Sequence, residues 1–102
     1  MAEAEIIPLK LTPAIAIKMI REIAADSNNI VIISYGKTRM RQRRISRRQV
    51  ELCVQRGTVA EGPFMNQRGN WQLNLYRHAA GEEITCVIAL DWPNRLLVIN
   101  AF

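Results

Sequence analysis

The chain has 102 residues, of which 49% are hydrophobic, and its 14 Lys and Arg against 9 Asp and Glu give a formal net charge of +5. This size and composition predict a single globular domain over 1–102 and exclude a disordered chain. No apolar run is long enough for a transmembrane helix, and the N-terminus is acidic where a secretion signal is basic. We therefore expect no membrane association and a cytoplasmic location.

The first expected element is a helix that follows a short lead-in. Thr12 can cap the free backbone amides, and Pro13 is tolerated at the first helical position because no helical hydrogen bond is lost there. The apolar residues then recur at a helical period that predicts the core face: Ile15, Met19, Ile20 and Ile23. The polar run 26–29 ends the helix, so residues 1–29 precede a core at 30–102.

The next stretch predicts a strand and two helices. Residues 30–35 are β-branched and apolar up to Tyr35 and predict a buried strand. A helix is expected from about Lys37 to Arg43. Ser46 and Gln49 then have the spacing of a capping box, which opens a helix that ends at Gly57. The core face of this helix is predicted to be Val50, Cys53 and Val54.

From residue 58 onward the chain has the alternating pattern of β-strands. Strands are predicted at 58–61, 71–79, 84–90 and 96–101. The last three are joined by tight turns at 80–82 and 91–94, which indicates an antiparallel meander. We therefore expect an α+β fold in which helices pack on one face of a mainly antiparallel sheet.

Half of the basic residues lie in one short stretch, which we name the cationic segment, residues 37–48. It contains no acidic residue, and its basic residues are Lys37, Arg39, Arg41, Arg43, Arg44, Arg47 and Arg48. Arginine donates paired hydrogen bonds to phosphate and stacks on bases, and unrelieved repulsion among these charges costs stability. We predict that all seven contact nucleic acid; the alternative is an inert, solvated helix face.

A second candidate surface is the polar side of the strand 71–79. Alternation places four side chains on one face of the sheet, namely Gln72, Asn74, Tyr76 and His78. Tyr76 and His78 could stack on a base or exchange a proton with it, if the helices leave this face open. The alternative is an ordinary solvated sheet face.

Other kinds of site are not supported by the sequence. Gly36-Lys37-Thr38 matches the end of a phosphate-binding P-loop, but the first glycine of that motif would fall at Val31, inside a strand. One histidine and two separated cysteines give no metal or cofactor site. Cys53 and Cys86 lie in apolar stretches, so we expect free, buried thiols rather than a cysteine nucleophile with His78 as its base.

Residues 34–46 resemble the signature of a known bacterial family. They read Ser-Tyr-Gly-Lys-Thr-Arg-Met-Arg-Gln-Arg-Arg-Ile-Ser. In the family known as domain of unknown function 4258, a strand runs into His-Ala, then Arg-Met, a second arginine and Ile-Ser. The likeness extends over residues 30–102, through Gly62-Pro63, the Gly-Asn-Trp at 69–71 and the closing strand.

The resemblance implies a fold and a function. The family is similar to small RelE-like ribonuclease toxins, which cleave RNA without a metal and bind a protein antitoxin. The resemblance implies Tyr35, Arg39 and Arg43 as catalytic residues, with the arginines in contact with phosphate. Tyr76 and His78, from the polar side of the strand 71–79, are the secondary catalytic candidates. The family's histidine aligns with Tyr35, and a phenol is a poor base at neutral pH, so weak or lost ribonuclease activity is expected. The alternative is a non-enzymatic cationic module that binds nucleic acid or an acidic protein.

Overall fold

The computed structural model describes residues 11–91 and 93–102, which form an α+β fold. Its helices and strands are α1 (Pro13–Ala24), β1 (Ile30–Ile32), α2 (Ser34–Arg43), α3 (Arg47–Arg56), β2 (Thr58–Met65), β3 (Trp71–Ala79), β4 (Glu82–Asp91) and β5 (Arg95–Ala101). Most of the expected lead-in and Trp92 of the last expected turn lie outside the described residues. None of the helices described is long and apolar enough to cross a membrane.

One five-stranded sheet, in the order β1-β5-β4-β3-β2, organises the molecule. The pairs β2–β3, β3–β4 and β4–β5 are antiparallel, and β1 pairs parallel to β5 through Ile30–Ile32. Ala80 and Gly81, both with positive φ, join β3 to β4 in a two-residue turn. The predicted meander and the mainly antiparallel sheet are therefore confirmed.

The hydrophobic core lies between one face of the sheet and the helices α1 and α3. Its fully buried side chains include Ile20, Val50, Val54, Leu73, Leu75, Ile88, Leu96 and Val98. The predicted core face of α3 is confirmed. In α1 the buried stripe is Ala16, Ile20 and Ala24, whereas Ile15 is 44% exposed, so the prediction for Ile15 was wrong. Because alanine side chains are small, this stripe lets α1 pack closely against the core, and the larger Ile15 lies outside it.

Helix α2 lies at the edge of the sheet rather than over the face that α1 and α3 cover. The strand β1 stops at Ile32, and the backbone N–H of Ile33 donates to the carbonyl of Val98 at 3.2 Å. The chain then continues as α2 beside the second half of β5, in the position that a longer β1 would occupy. The predicted strand to Tyr35 was therefore wrong in its second half, since Tyr35 lies in the first turn of α2.

The strand β2 is longer than predicted and forms the other edge. It continues through Gly62 and the cis peptide bond before Pro63 as far as Met65. Its pairing with β3 changes register on both sides of Glu61. Proline is tolerated there because the outer side of an edge strand makes no ladder hydrogen bonds.

Candidate nucleic-acid interface

Part of the 34–46 signature has a purely structural role, because it ends one helix and starts the next. Past the end of α2, the N–H of Ile45 donates to the carbonyl of Met40 at 2.9 Å, and the N–H of Arg44 donates to that of Arg41 at 3.3 Å. This is a Schellman motif, in which the apolar residues at the two outer positions contact each other. Met40 is buried accordingly, and Ile45 packs against the core.

The predicted capping box at the start of α3 is also present. The Ser46 hydroxyl accepts from the N–H of Gln49 at 3.1 Å, and the Gln49 side chain accepts from the N–H of Ser46 at 2.8 Å. Met40, Ile45 and Ser46 are thus explained by helix ends and packing. Arg39 and Arg43 have no such role, so they are the part of the signature that is available for binding.

The basic residues of α2 divide between two flanks of the helix. Gly36 and Met40 are buried, against β5 and in the core respectively. Each residue of an α-helix is rotated by 100° from the one before it. On the side of Gly36 that is turned away from the core, the side chains therefore come in the order Arg43, Arg39, Tyr35. Lys37 and Arg41 lie on the opposite flank, beyond Met40. We name Tyr35, Arg39 and Arg43 the sheet-side flank, and Lys37 and Arg41 the outer flank.

Arg47 and Arg48 begin α3 and are engaged within the protein. The Arg47 guanidinium pairs with Glu51 at 2.8 Å and donates to the backbone carbonyls of Ser27 and Ile30 at 3.0 and 2.8 Å. Arg48 lies 3.6 Å from the same carboxylate. Glu51, just past the cationic segment, thus neutralises part of it. The other five basic residues form no ion pair with an acidic residue of 11–91 or 93–102.

Arg43 and the C-terminal residue form a cation–π pair. The Arg43 guanidinium carbon lies 5.7 Å from the centroid of the Phe102 ring, within the range of such contacts. Phe102 exchanges two backbone hydrogen bonds with Thr85, at 2.7 and 2.9 Å. Thr85 alternates with the buried Ile84 and Cys86, so Thr85 and Phe102 both point to the face opposite the core. The sheet-side flank therefore borders that face.

Arg39 is the most enclosed arginine of this flank. Its Nη1 donates to the side-chain carbonyl of Gln42 at 3.0 Å. Its Nε is shielded from solvent and has no hydrogen-bond partner among the described residues. A buried donor without a partner carries a desolvation cost of about 1–3 kcal/mol.

The face of the sheet opposite the core carries no helix in the part of the chain described, and we name it the open face. The predicted polar side chains of β3 lie on it: Gln72, Asn74 and Tyr76 are half-buried, and His78 is exposed. Asn74 donates to the Glu61 carboxylate at 3.1 Å. The pKa of Tyr76 is raised by desolvation and by the neighbouring Glu83 carboxylate, so its hydroxyl stays protonated at neutral pH.

The five predicted catalytic residues share this side of the sheet but do not meet. Tyr76 lies opposite Thr85 on β4, and Thr85 lies opposite Phe102. Tyr76 and Phe102 are therefore two strand spacings apart, about 10 Å in total. His78 lies two residues further along β3, opposite Glu83. Tyr35, Arg39 and Arg43 therefore form one group along α2, and Tyr76 with His78 forms another on β3.

The two cysteines are free and buried, as predicted, and they lie together. The Cys53 thiol is within 3.5 Å of the carbonyls of Leu75 and Ile84. The pKa of the Cys86 thiol is raised by its hydrogen bond to Cys53 and by burial. Both sulfurs are on the core face, whereas His78 is on the open face, so the structure excludes a Cys–His catalytic pair.

Sequence reasoning missed Phe102 as a site residue. Its exposure of 45% and that of Tyr35, 57%, leave two aromatic rings accessible beside the sheet-side arginines. A signal for Phe102 was present, because β5 brings the chain end back to the sheet after an apolar strand. The position of α2 along β5, which brings Arg43 to this ring, is a long-range packing feature and has no local signal.

Comparison with known proteins supports the family resemblance. The family model described as Domain of unknown function (DUF4258) matches residues 36–102, which is most of the chain. The match begins one residue after Tyr35 and includes Arg39, Arg43 and the strands β2 to β5. No curated protein and no solved structure matches the chain. On the extent of the family match, the chain belongs to the DUF4258 family, a domain of unknown function.

Proposed function

We propose that this protein binds single-stranded RNA on the open face of its sheet, along the sheet-side flank of α2. The single observation that carries the proposal is the arrangement of Arg39, Arg43 and the Phe102 ring, with Tyr35 on the same flank. Arginines next to exposed aromatic rings are typical of single-strand binding, in which phosphates contact the cations and bases stack on the rings.

The spacing of the two arginines fits a polynucleotide chain. Arg39 and Arg43 are one turn apart, about 6 Å along the helix axis. This is comparable to the distance between neighbouring phosphates of an extended strand.

Accessible aromatic rings favour a single strand over a duplex. The bases of a helix are stacked on one another, so Tyr35 and Phe102 could not reach their faces. The same rings favour RNA over an acidic protein, which would use the arginines but offer no bases. The choice of RNA as the natural polyanion follows from the expected similarity of the family to RelE-like ribonucleases. That similarity and the protein antitoxin expected from it both stay predictions.

The proposal concerns binding rather than cleavage. The five predicted catalytic residues lie in two groups, and about two strand spacings separate these groups. Tyr35 stands where the family's histidine is expected, and the raised pKa of Tyr76 keeps it from acting as a base. Tyr76 and His78 lie on β3, away from a ribose held at Arg39 and Arg43.

Binding can be measured by fluorescence anisotropy with three probes of equal charge. These are a short single-stranded RNA, an RNA duplex and a polyglutamate peptide. We expect the single strand to bind best, with log K falling against log salt by about 0.7 for each contacted phosphate. Equal binding of the peptide would show that the surface recognises charge alone. Absence of binding to the single strand at low salt would contradict the proposal.

A further inference from the structure

The open face contains a groove that the arginines do not occupy. It has a volume of about 530 Å³, within the range of pockets that hold small ligands. Its floor is apolar and consists of Ala89, Leu97 and Ile99, which β4 and β5 place side by side. Ile33, immediately before α2, and Phe64 of β2 also line it, and Phe64 is 44% exposed.

One end of the groove is polar and is held by side-chain hydrogen bonds of Asn66. The side-chain oxygen of Asn66 accepts from the backbone N–H groups of Arg68 and Asn70, at 2.9 and 3.0 Å. Its amino group donates to the side-chain carbonyl of Gln72 at 3.0 Å. This bond orients Gln72 so that its own amino group remains a donor for a ligand. Arg68 adds a positive charge at this end of the groove.

The other end of the groove meets the sheet-side flank. Ile33 lies two residues before Tyr35, and a Cβ atom at Gly36 of α2 would lie 3.3 Å from the carbonyl oxygen of Ile99. Tyr35 and Arg39 are one helical turn apart, about 6 Å along the axis. The groove therefore ends at the residue that precedes α2, the helix that carries Arg39.

From these features we infer that the groove is a nucleobase pocket, in which one unstacked base of the bound RNA lies while Arg39 holds its phosphate. The apolar floor suits the face of a base, and the Gln72 amino group suits a base carbonyl. Positive charge from Arg68, which lines the groove, and from Arg39 on the helix that follows Ile33 favours a nucleotide over an apolar peptide segment. The inference rests on the proposed binding of single-stranded RNA and adds to it the place of one base.

A series of abasic oligonucleotides tests this inference with the unaltered protein. Each member of the series lacks one base but keeps every phosphate of a short single-stranded RNA. Stacking contributes about 1–3 kcal/mol per base, so one abasic position is expected to weaken binding by about tenfold or more. The other positions are expected to have smaller effects.

The variant Ala89→Met then locates the lost contact, since its side chain would fill the groove from the floor. We expect Ala89→Met to weaken binding of the intact RNA about tenfold. Binding of the RNA that lacks the sensitive base is expected not to change, because the variant and the missing base remove the same contact. If every abasic RNA binds like the intact one, the base pocket is contradicted while RNA binding stands. If the intact RNA does not bind the unaltered protein, the proposed function and this inference both fail.

Discussion

Arg44 adopts a left-handed conformation, with φ 57° and ψ 41°, at the end of α2. This conformation costs a side-chain-bearing residue about 1–2 kcal/mol, and glycine adopts it freely. The Schellman motif requires it, because the N–H groups of Arg44 and Ile45 must turn back to the helix carbonyls. The chain retains an arginine at a position that favours glycine.

We expect Arg44→Gly to raise the free energy of unfolding by about 1 kcal/mol relative to Arg44→Ala. Both variants remove the same charge, so the difference between them isolates the backbone conformation. Urea denaturation followed by circular dichroism measures it. Two variants of equal stability would show that the left-handed turn is not strained.

At the residue scale the sequence predicts features that depend on near neighbours. The capping box of Ser46 and Gln49 and the alternation of Leu73 and Leu75 with polar residues were confirmed for that reason. Ile15 was wrongly assigned to the core face because two neighbouring stripes of α1 have the same helical period. Tertiary packing buries the stripe that contains the alanines. The contact of Cys53 with Cys86 joins positions far apart in the chain and had no signal.

At the scale of elements, the contact between α2 and β5 places the sheet-side flank. Gly36 makes this contact possible, because a Cβ atom there would lie 2.8 Å from the carbonyl oxygen of Val98 and 3.2 Å from a methyl group of Ile32. Backbone atoms cannot rotate aside as a flexible side chain can. A larger residue must therefore push α2 away from the sheet edge.

We expect Gly36→Val to lower the free energy of unfolding by about 1–3 kcal/mol, the usual cost of overpacking. The matched control is Thr38→Val, which places the same side chain on the exposed part of α2, where threonine and valine have similar helix propensities. Thermal unfolding of the two proteins compares them. A Gly36→Val protein as stable as the control would mean that α2 does not pack closely on β5.

The boundaries of elements were less predictable than their existence. Ile33 continues the β-branched run, yet β1 ends before it, because the length of a strand is set by its partner and here α2 takes the edge of β5. The strand β2 passes through Gly62-Pro63, which ordinarily indicates a turn, by shifting its register at an unpaired edge. Both outcomes depend on the sheet as a whole, which local patterns do not describe.

For the whole molecule, the net charge of +5 overstates the positive charge that is concentrated in one surface patch. Glu51 engages Arg47 and Arg48, and α2 places Lys37 and Arg41 away from the open face. Of the basic residues within α2, only Arg39 and Arg43 border the open face and its aromatic rings. The segment was predictable from the sequence, whereas its division into flanks required the position of α2.

The division of α2 into two flanks gives the most direct test of the proposed binding site, because two positive charges can be removed from either flank by mutation. The variants are Arg39→Ala with Arg43→Ala, and Lys37→Ala with Arg41→Ala, and the measurement is the salt dependence of binding to single-stranded RNA. We predict that the first pair lowers the steepness of the log K against log salt plot by about 0.7 per arginine and that the second pair leaves it nearly unchanged. Equal losses from both pairs would contradict a binding site on the sheet-side flank.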